Sequence, residues 1–304
     1  KQKTAYEIMP SLVGSEMCIR DSYKPGDRVF VTHHVPCYEC HYCLHGHHNV
    51  CQTLKRTSFD PGGFAEYIRI PEINVKLGTM KLPEGMSYEE GTFIEPLGCV
   101  VRGERIAKVS KDDTVLILGS GISGLLHIQV AKLRGASFVV ATDIVDYRIN
   151  MAKKFGADLA LHAQDNIEER IKELTGGRLA DKVIICVGSI EVYKQAFRCV
   201  EKGGTVLFFA PCQPGTSLSL DLFDIWARDI TIVHTYAAAR DDLKEAIKLI
   251  AEKKINVNDM ITHEFGLDDI QKAFDIVAQA GESIKVIIKP ELRGRNENNR
   301  NTVR

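Results

Sequence analysis

Apolar residues between positions 115 and 143 follow two different periods in succession. Residues 115–118 are four consecutive aliphatic residues, which predict a buried strand. Further along, apolar side chains recur at helical spacing, at Ile122, Leu125, Leu126, Val130 and Leu133. Gly135 ends this stripe, and a second apolar run over residues 138–141 leads to Asp143. The pattern predicts a βαβ unit.

The same alternation of strand and helix patterns continues downstream. Further helices are predicted over residues 144–155, 167–174 and 191–200, and further strands over 158–162, 182–187, 205–210 and 230–234. Six strands alternating with helices predict an α/β fold, a doubly wound parallel sheet of the Rossmann type, over residues 107–238. Beyond it, helix and strand patterns alternate once more, with helices over 241–252 and 267–280 and strands over 261–265 and 284–288.

The part of the chain before the βαβ unit is richer in strand and turn signals. Residues 28–32 predict a strand, residues 62–70 predict another after a glycine turn, and residues 75–82 predict further β structure. Residues 1–22 show neither period and do not connect logically to the chain from Tyr23 onward, so we expect a foreign or disordered segment there. The polar tail over residues 291–304 is expected to be disordered.

Composition restricts the class of protein. With 304 residues, 44% of them hydrophobic and 26% charged, the chain is long enough for two globular domains. A formal net charge of −1 argues against binding to nucleic acid or to a membrane surface. Apolar runs do not approach the roughly 20 residues of a bilayer span, and the expected location is the cytoplasm.

The turn between the first strand and its helix contains the motif Gly119-x-Gly121-x-x-Gly124. Such glycines allow a tight turn, close approach of a pyrophosphate and close packing of helix on strand, respectively. The phosphates then lie at the helix N-terminus, where Ile122 begins the helical pattern. Asp143 is placed to accept hydrogen bonds from the ribose hydroxyls, and its charge would repel a 2′-phosphate. The sequence therefore predicts NAD rather than NADP.

Other residues are expected beside the cofactor because ligands of doubly wound sheets bind at the carboxyl ends of the strands. These are Cys186, Val187, Gly188, Phe209 and Ala210. Arg148, five residues after Asp143, either pairs near the adenosine or is a solvated charge on a helix. The histidines His127, His162 and His263 occur in no recognisable catalytic constellation, so structural roles are expected for them.

Four cysteines occur close together, at Cys37, Cys40, Cys43 and Cys51. Four thiolates from one short loop can surround a single ion tetrahedrally, which predicts a closed structural zinc site. An iron–sulfur cluster and four free thiols are the alternatives, although the spacing differs from that of bacterial ferredoxins. Six nearby histidines are interpreted as loop residues in solvent, namely His33, His34, His41, His45, His47 and His48.

Glu95 is a carboxylate in an apolar context immediately before Pro96. It is either a residue at the start of a helix, where the helix dipole favours negative charge, or a metal ligand.

Together, the cysteine loop, the segments GGFAEYI (62–68) and IEPLGCVVRG (94–103), and the glycine-rich βαβ unit resemble the medium-chain zinc-dependent alcohol dehydrogenase family. The resemblance extends from Tyr23 to Pro290 and is strongest to the sorbitol (polyol) and threonine dehydrogenase branch. It implies a mainly β GroES-like catalytic domain, formed by residues 23–106 and 239–290, that carries the zinc lobe. It also implies hydride transfer between a secondary alcohol or polyol and NAD, a homodimer or homotetramer, and Glu95 as a ligand of a catalytic zinc.

One departure from the family concerns the other ligands of that zinc. Family members supply a cysteine and a His-Glu pair upstream of the segment that corresponds to Tyr23, whereas here the upstream cysteine is Cys18 in the foreign-looking segment, and the first histidine is His33. A catalytic zinc needs three protein ligands and an open position. We therefore expect either a chain truncated at its N-terminus or an inactive NAD- and zinc-binding protein, and in both cases no alcohol oxidation by the chain as given.

Overall fold

The computed structural model describes residues 23–290. Its strands are β1 (Val29–Val31), β2 (Thr79–Lys81), β3 (Thr114–Leu118), β4 (Phe138–Asp143), β5 (Leu159–His162), β6 (Ala180–Ile185), β7 (Val200–Phe208), β8 (Thr231–His234), β9 (Ile261–Phe265) and β10 (Lys285–Ile288). The expectations for residues 1–22 and 291–304 lie outside the described residues.

Twelve α-helices accompany these strands in the described part of the chain. They are α1 (His41–Leu44), α2 (Gln52–Arg56), α3 (Glu72–Gly78), α4 (Tyr88–Gly91), α5 (Ile94–Ala107), α6 (Ile122–Leu133), α7 (Asp146–Lys154), α8 (Ile167–Thr175), α9 (Ile190–Cys199), α10 (Leu222–Ala227), α11 (Arg240–Ala251) and α12 (Ile270–Gln279). Single 3-10 turns occur at His48–Val50, Asn258–Met260 and Leu267–Asp269. No helix within residues 23–290 has both the length and the apolar character that a membrane span needs.

Six parallel strands form the sheet that the sequence predicted, in the order β5-β4-β3-β6-β7-β8. All five residues of β3 are buried, which explains why four of them, residues 115–118, are aliphatic. The strand order reverses between β3 and β6, and ligands of doubly wound sheets bind at such a point, outside the carboxyl ends of the strands. The doubly wound parallel sheet is thus confirmed.

Local sequence signals explain where helix α6 ends and where helix α8 begins and ends. Gly135 has φ +88°, and its N–H bonds to the Lys132 carbonyl just after α6. Helix α8 begins after Asn166, whose side-chain oxygen accepts from the Glu169 N–H at 3.3 Å, and it ends at Gly176 with φ +71°. Side-chain capping at the start and a left-handed glycine at the end are the two signals expected of a helix in sequence.

Two compact units make up the described chain. One comprises residues 23–87 with 265–270 and 288–290, and the other comprises residues 88–264 with 271–287. The sequence-based boundaries lay instead at 106/107 and 238/239. They differ because α5 packs against α6 and α11, so residues 88–106 and 239–264 belong with the parallel sheet.

Within residues 23–87, the strands are the short antiparallel pair β1 and β2. The strand expected over residues 62–70 is absent there, because this segment makes only one isolated bridge, between Asp60 and Arg69. Of residues 75–82, where β structure was expected, residues 79–81 form β2, but residues 75–78 belong to helix α3. An ion pair of 2.9 Å joins Glu72 to Lys76 one turn later, and the buried Asn74 amide donates to the Thr32 carbonyl. These contacts overrode the β propensity of the segment.

Candidate cofactor and metal sites

The glycine-rich turn lies between β3 and α6, and two of its glycines are required by space. Gly119 has φ +102°, and a Cβ built there would lie 2.3 Å from Val187 Cγ2. A Cβ on Gly124 would lie only 1.9 Å from the Gly119 carbonyl oxygen. The Gly119 N–H donates to the Thr142 carbonyl at 2.9 Å, which ties the turn to β4. Larger residues at positions 119 and 124 would therefore disrupt the turn itself.

Gly121 differs from its neighbours, because nothing lies within 4 Å of a Cβ built there. Its backbone is extended and it caps the N-terminus of α6, with its carbonyl accepting from Leu125 at 2.9 Å. The first N–H groups of a helix have no carbonyl in the preceding turn, and the helix dipole makes this end positive. Open space beside such donors fits a diphosphate group.

Asp143, the last residue of β4, is buried next to this turn. One carboxylate oxygen accepts from the Ser120 N–H at 2.8 Å. The other accepts from the N–H groups of Ile144, at 2.8 Å, and Val145, at 3.0 Å. The carboxylate thus holds the glycine-rich turn to the start of the next loop, a second role in addition to the predicted one at the ribose.

Residues at the ends of β6 and β7 come to the same edge of the sheet, as predicted. The Cys186 N–H donates to the Leu118 carbonyl at 2.9 Å, and the Ala210 N–H donates to the Ile185 carbonyl at 2.9 Å. A Cβ on Gly188 would lie 2.3 Å from the Pro211 carbonyl oxygen, so the two loops touch at this point. The Val187 contact with Gly119 joins them to the glycine-rich turn.

Arg148 on α7 was predicted near the adenosine or in solvent. Its guanidinium donates to the Ser283 carbonyl at 3.4 Å, within the same compact unit. This contact holds α7 to the segment before β10.

The four cysteines of the loop form one cluster, in which all Sγ atoms lie within 4.8 Å of one another. The Sγ atoms of Cys37 and Cys51 are 3.7 Å apart. Tetrahedral zinc with Zn–S bonds of about 2.3 Å places its sulfurs roughly 3.8 Å apart. Helix α1 carries Cys43 and begins after Cys40, and the turn His48–Val50 leads directly into Cys51. The donor set therefore fits a closed structural zinc.

The pKa values of these thiols show which of them are readily available as thiolates for a cation. Burial alone would raise the pKa of Cys51, but backbone N–H donors, Cys37 first among them, lower it to about 6. The pKa of Cys37 is lowered by the Glu39 N–H. Burial and the neighbouring Cys40 thiol raise the pKa of Cys43 to about 12. A divalent ion among the four sulfurs would offset the repulsion between thiolates and so favour deprotonation of Cys43 as well.

The six histidines of this region surround the cysteines without joining the cluster, which consists of thiols alone among the described residues. Four of them are exposed, and His34 and His48 are half-buried. His34 Nδ1 lies 3.1 Å from the Leu54 carbonyl, and His45 Nδ1 lies 2.7 Å from the His41 carbonyl. Both ring nitrogens thus lie next to backbone carbonyl groups, as expected of histidines that do not bind the metal.

Glu95 is the second residue of α5 and is half-buried. Its Oε1 lies 3.2 Å from the Cys99 Sγ, one turn later on the helix. Burial raises the pKa of Cys99, and the Glu95 charge raises it further, so this sulfur is a thiol that donates to the carboxylate. Cys99 could have been found in the sequence from its i+4 spacing.

Lys285 was missed by the sequence analysis. Its ammonium lies 5.3 Å from the centre of the Phe93 ring and 3.4 Å from the Thr92 carbonyl oxygen. Burial lowers the pKa of Lys285, while the charge of Glu95 opposes that shift. No local pattern connects a lysine in β10 with a helix that begins at residue 94.

Comparison with known protein families and relatives agrees with a nucleotide-binding sheet and a zinc-binding loop in one chain. The family model "Zinc-binding dehydrogenase" matches residues 123–252, and "Alcohol dehydrogenase GroES-like domain" matches residues 11–84. Sorbitol dehydrogenase 1 of Saccharomyces cerevisiae is 31% identical over 276 residues, which cover 87% of this chain and 75% of the yeast protein. The chain belongs to the medium-chain zinc-dependent alcohol dehydrogenase family, in its polyol dehydrogenase branch.

Other members of this family show similar likeness. The sorbitol dehydrogenase of Halalkalibacterium halodurans is 31% identical, over 88% of this chain and 78% of its own length. A zinc-binding dehydrogenase from Sinorhizobium meliloti, solved bound to NADP, has 27% identity and a TM-score of 0.77, with 88% of this chain and 78% of that chain covered. Family membership and the Rossmann sheet, both inferred from the sequence, are thereby confirmed.

Proposed function

We propose that this protein is a zinc-dependent oxidoreductase that transfers a hydride between a secondary alcohol or polyol and NAD. The observation that carries the proposal is the junction of Gly121 and Asp143. Open space, helix N–H donors and a buried carboxylate meet there, in a chain whose relatives include two sorbitol dehydrogenases. Such relatives support a polyol as the substrate class.

The choice of NAD over NADP rests on Asp143. Its carboxylate is buried, and it lies at the end of β4, where the ribose of the adenosine half binds in doubly wound folds. A 2′-phosphate brought to this point would meet like charge and lose hydrogen bonds. The similar Sinorhizobium meliloti structure holds NADP, so the preference of this chain is a property to be measured.

When bound, a catalytic zinc supplies Lewis-acid polarisation of the alcohol oxygen, and the nicotinamide supplies a hydride acceptor. We assign Glu95 as a ligand of that zinc, and Cys37, Cys40, Cys43 and Cys51 as ligands of a structural one. The glycine-rich turn binds the pyrophosphate, and Asp143 orients the ribose. The loops after β6 and β7 border the nicotinamide half and exclude water from it.

A second candidate is an NAD- and zinc-binding protein of the same family without turnover. It is favoured by the surroundings of Glu95, whose carboxylate bonds to the Cys99 thiol and belongs to no group of three possible metal ligands within residues 23–290. Both candidates share the nucleotide site and the cysteine cluster, so they differ in the catalytic zinc and in turnover.

One experiment separates the two candidates. The purified chain is loaded with zinc, analysed for metal, and mixed with NAD and a panel of sugar alcohols while NADH formation is followed. The proposal expects turnover that Glu95→Ala abolishes, with cofactor binding retained in the variant, whereas the departure from the family at the upstream zinc ligands led us to expect no turnover by the chain as given. Binding of NAD without any turnover by the parent chain would establish the second candidate, and failure to bind NAD would contradict both.

We also propose that the protein is a homo-oligomer located in the cytoplasm. Strand β8 lies at one edge of the sheet, and α10 next to it in sequence exposes Leu222, Phe223 and Trp226. In an oligomer, a second copy of the chain would pair with the edge of β8 and cover the exposed apolar side chains of α10. Light scattering should give a mass that is a multiple of the chain mass, and the substitution Trp226→Glu should lower the measured mass. None of the eight described cysteines forms a disulfide, which suits a reducing compartment.

A further inference from the structure

Three side chains form a buried polar cluster that the proposed chemistry does not use. Glu104 in α5 and His127 in α6 are both fully buried. Glu104 Oε1 lies 3.0 Å from His127 Nδ1, and Glu104 Oε2 lies 3.2 Å from the Nε atom of Arg134. Burial, and after it the charge of Arg134, lowers the pKa of His127 to about 3, so the imidazole is neutral at physiological pH.

The imidazole of His127 packs on an aromatic ring that follows β7. The ring centres of His127 and Phe209 are 4.6 Å apart, and the ring planes meet at 87°, the edge-to-face arrangement favoured by aromatic pairs. A second contact holds the same ring from α5, since a Cβ on Gly103 would lie 3.2 Å from Phe209 Cδ2. Phe209 is therefore held by both α5 and α6.

The backbone next to this ring is part of the proposed cofactor wall. The Ala210 N–H donates to the Ile185 carbonyl, and the Ala210 carbonyl accepts from the Tyr193 hydroxyl at 2.6 Å. The pKa of Cys186, at the end of β6, is raised by burial and also by the charge of Glu104. Because His127 packs on the Phe209 ring, the cluster lies beside the carboxyl end of β7.

Strand order assigns this edge to one half of a dinucleotide. The order reverses between β3 and β6, and a dinucleotide in such a fold lies across the reversal, with one nucleotide on each side. Asp143 at the end of β4 marks the adenosine side. The ends of β6 and β7, including Phe209, belong to the nicotinamide side.

From this geometry we propose that Glu104 and His127 are positioning residues for the nicotinamide half of the cofactor. The carboxyl group fixes the orientation of the imidazole, and the imidazole holds the Phe209 ring, so that the backbone of residues 209 and 210 keeps its place beside the nicotinamide. Neither side chain touches the cofactor. A buried and hydrogen-bonded polar pair defines one orientation, which a purely apolar contact does not. This inference rests on the proposed NAD site.

The test compares NADH, which carries the nicotinamide, with ADP-ribose, which lacks it, by titration calorimetry of the purified full chain. His127→Leu should weaken NADH binding about three- to tenfold, as expected for loss of one aromatic contact and one hydrogen bond, and leave ADP-ribose binding unchanged. Glu104→Gln, which keeps a hydrogen bond to the imidazole, should retain most of the NADH affinity. Glu90→Gln is the matched control, because Glu90 is another buried carboxylate, bonded to Lys253 and Asn258, in the same unit.

The outcomes are distinct from those of the proposed function. If the parent chain binds neither ligand, the NAD site itself is wrong. If the parent binds both and His127→Leu weakens both equally, or weakens neither, the positioning role is overturned. Should His127→Leu fail to fold, Phe209→Leu is the second variant, with the same selective loss of NADH affinity expected. In the double variant His127→Leu/Phe209→Leu, affinity should fall no further than in either single variant, and additive losses would contradict the coupling.

Discussion

The carboxylate of Asp143 accepts a hydrogen bond of 2.8 Å from the backbone N–H of Ser120, which lies within the glycine-rich turn. One buried side chain therefore joins two parts of the cofactor site. It holds the turn that would cradle the pyrophosphate, and it places negative charge where the ribose would bind. Changes at this residue are expected to affect both functions.

Asp143→Ala should weaken NAD binding by at least about tenfold, the equivalent of 1.4 kcal/mol. It should also destabilise the fold by about 1–3 kcal/mol, because three N–H groups lose their acceptor. Titration calorimetry with NAD and NADP measures the first effect and denaturant unfolding the second. Asp165→Ala is the control, since Asp165 is an exposed carboxylate after β5 that accepts from the His162 N–H. Tighter binding of NADP than of NAD by the parent chain would refute the NAD assignment.

Gly121→Ala and Gly124→Ala should separate binding from folding. Alanine at 121 meets no atom within 4 Å and has a permitted φ of −72°, so the melting temperature should stay close to that of the parent. NAD binding should nevertheless fall, because the new methyl group occupies the space proposed for the pyrophosphate. Alanine at 124 would lie 1.9 Å from the Gly119 carbonyl oxygen and should cost about 1–3 kcal/mol of stability. Undiminished NAD affinity in Gly121→Ala would show that the phosphates bind elsewhere.

Replacement of any one cysteine of the cluster by serine should remove the structural zinc. Metal analysis of the parent chain should give one tightly held zinc at this site, and Cys43→Ser should lose it and unfold at a lower temperature, because the metal holds the loop together. Cys199→Ser is the control, since Cys199 is buried beside the sheet. Iron with inorganic sulfide in the parent protein, or no metal, would contradict the zinc assignment.

Acidification should release the same zinc, because protons compete with the metal for the thiolates. The pKa of Cys51 without metal is about 6, below that of an ordinary thiol, so this sulfur still binds metal at neutral pH. Dialysis against buffers of decreasing pH, followed by metal analysis, should show zinc lost below neutrality. Retention of the metal in strongly acidic buffer would indicate ligands other than thiolates.

Glu95→Gln should abolish turnover of a sugar alcohol while NAD binding and the cysteine-bound zinc remain. The amide keeps the size of the side chain but removes the charge that a metal ligand needs, and loss of Lewis-acid catalysis slows chemistry by several orders of magnitude, at about 1.4 kcal/mol for each tenfold. Initial rates of NADH formation measure the effect. Cys99→Ser is the comparison, since this side chain bonds to Glu95 and is not assigned as a ligand. Full activity of Glu95→Gln would remove Glu95 from the metal site.

Local sequence alone determined much of this protein. The βαβ unit, the parallel sheet and the cysteine cluster were all predicted, because each depends on residues close in sequence whose spacing fixes their geometry. Gly119 and Gly124 could likewise be assigned without a structure, since the motif describes one turn. The roles of Glu95 and Arg148 at a bound zinc or cofactor stay predictions.

Only the tertiary structure decided the remaining contacts. Glu104 meets His127, and Glu95 comes near Lys285, because helices and strands distant in sequence pack side by side, which no periodicity encodes. Packing also overrode local preference at α3, where the buried Asn74 amide bonds to the Thr32 carbonyl and a helix replaces the first part of the β structure expected over residues 75–82. The strand expected over residues 62–70 does not form, although the residue types suit a sheet. A sequence pattern does not show whether a neighbouring strand is present to pair with such a segment.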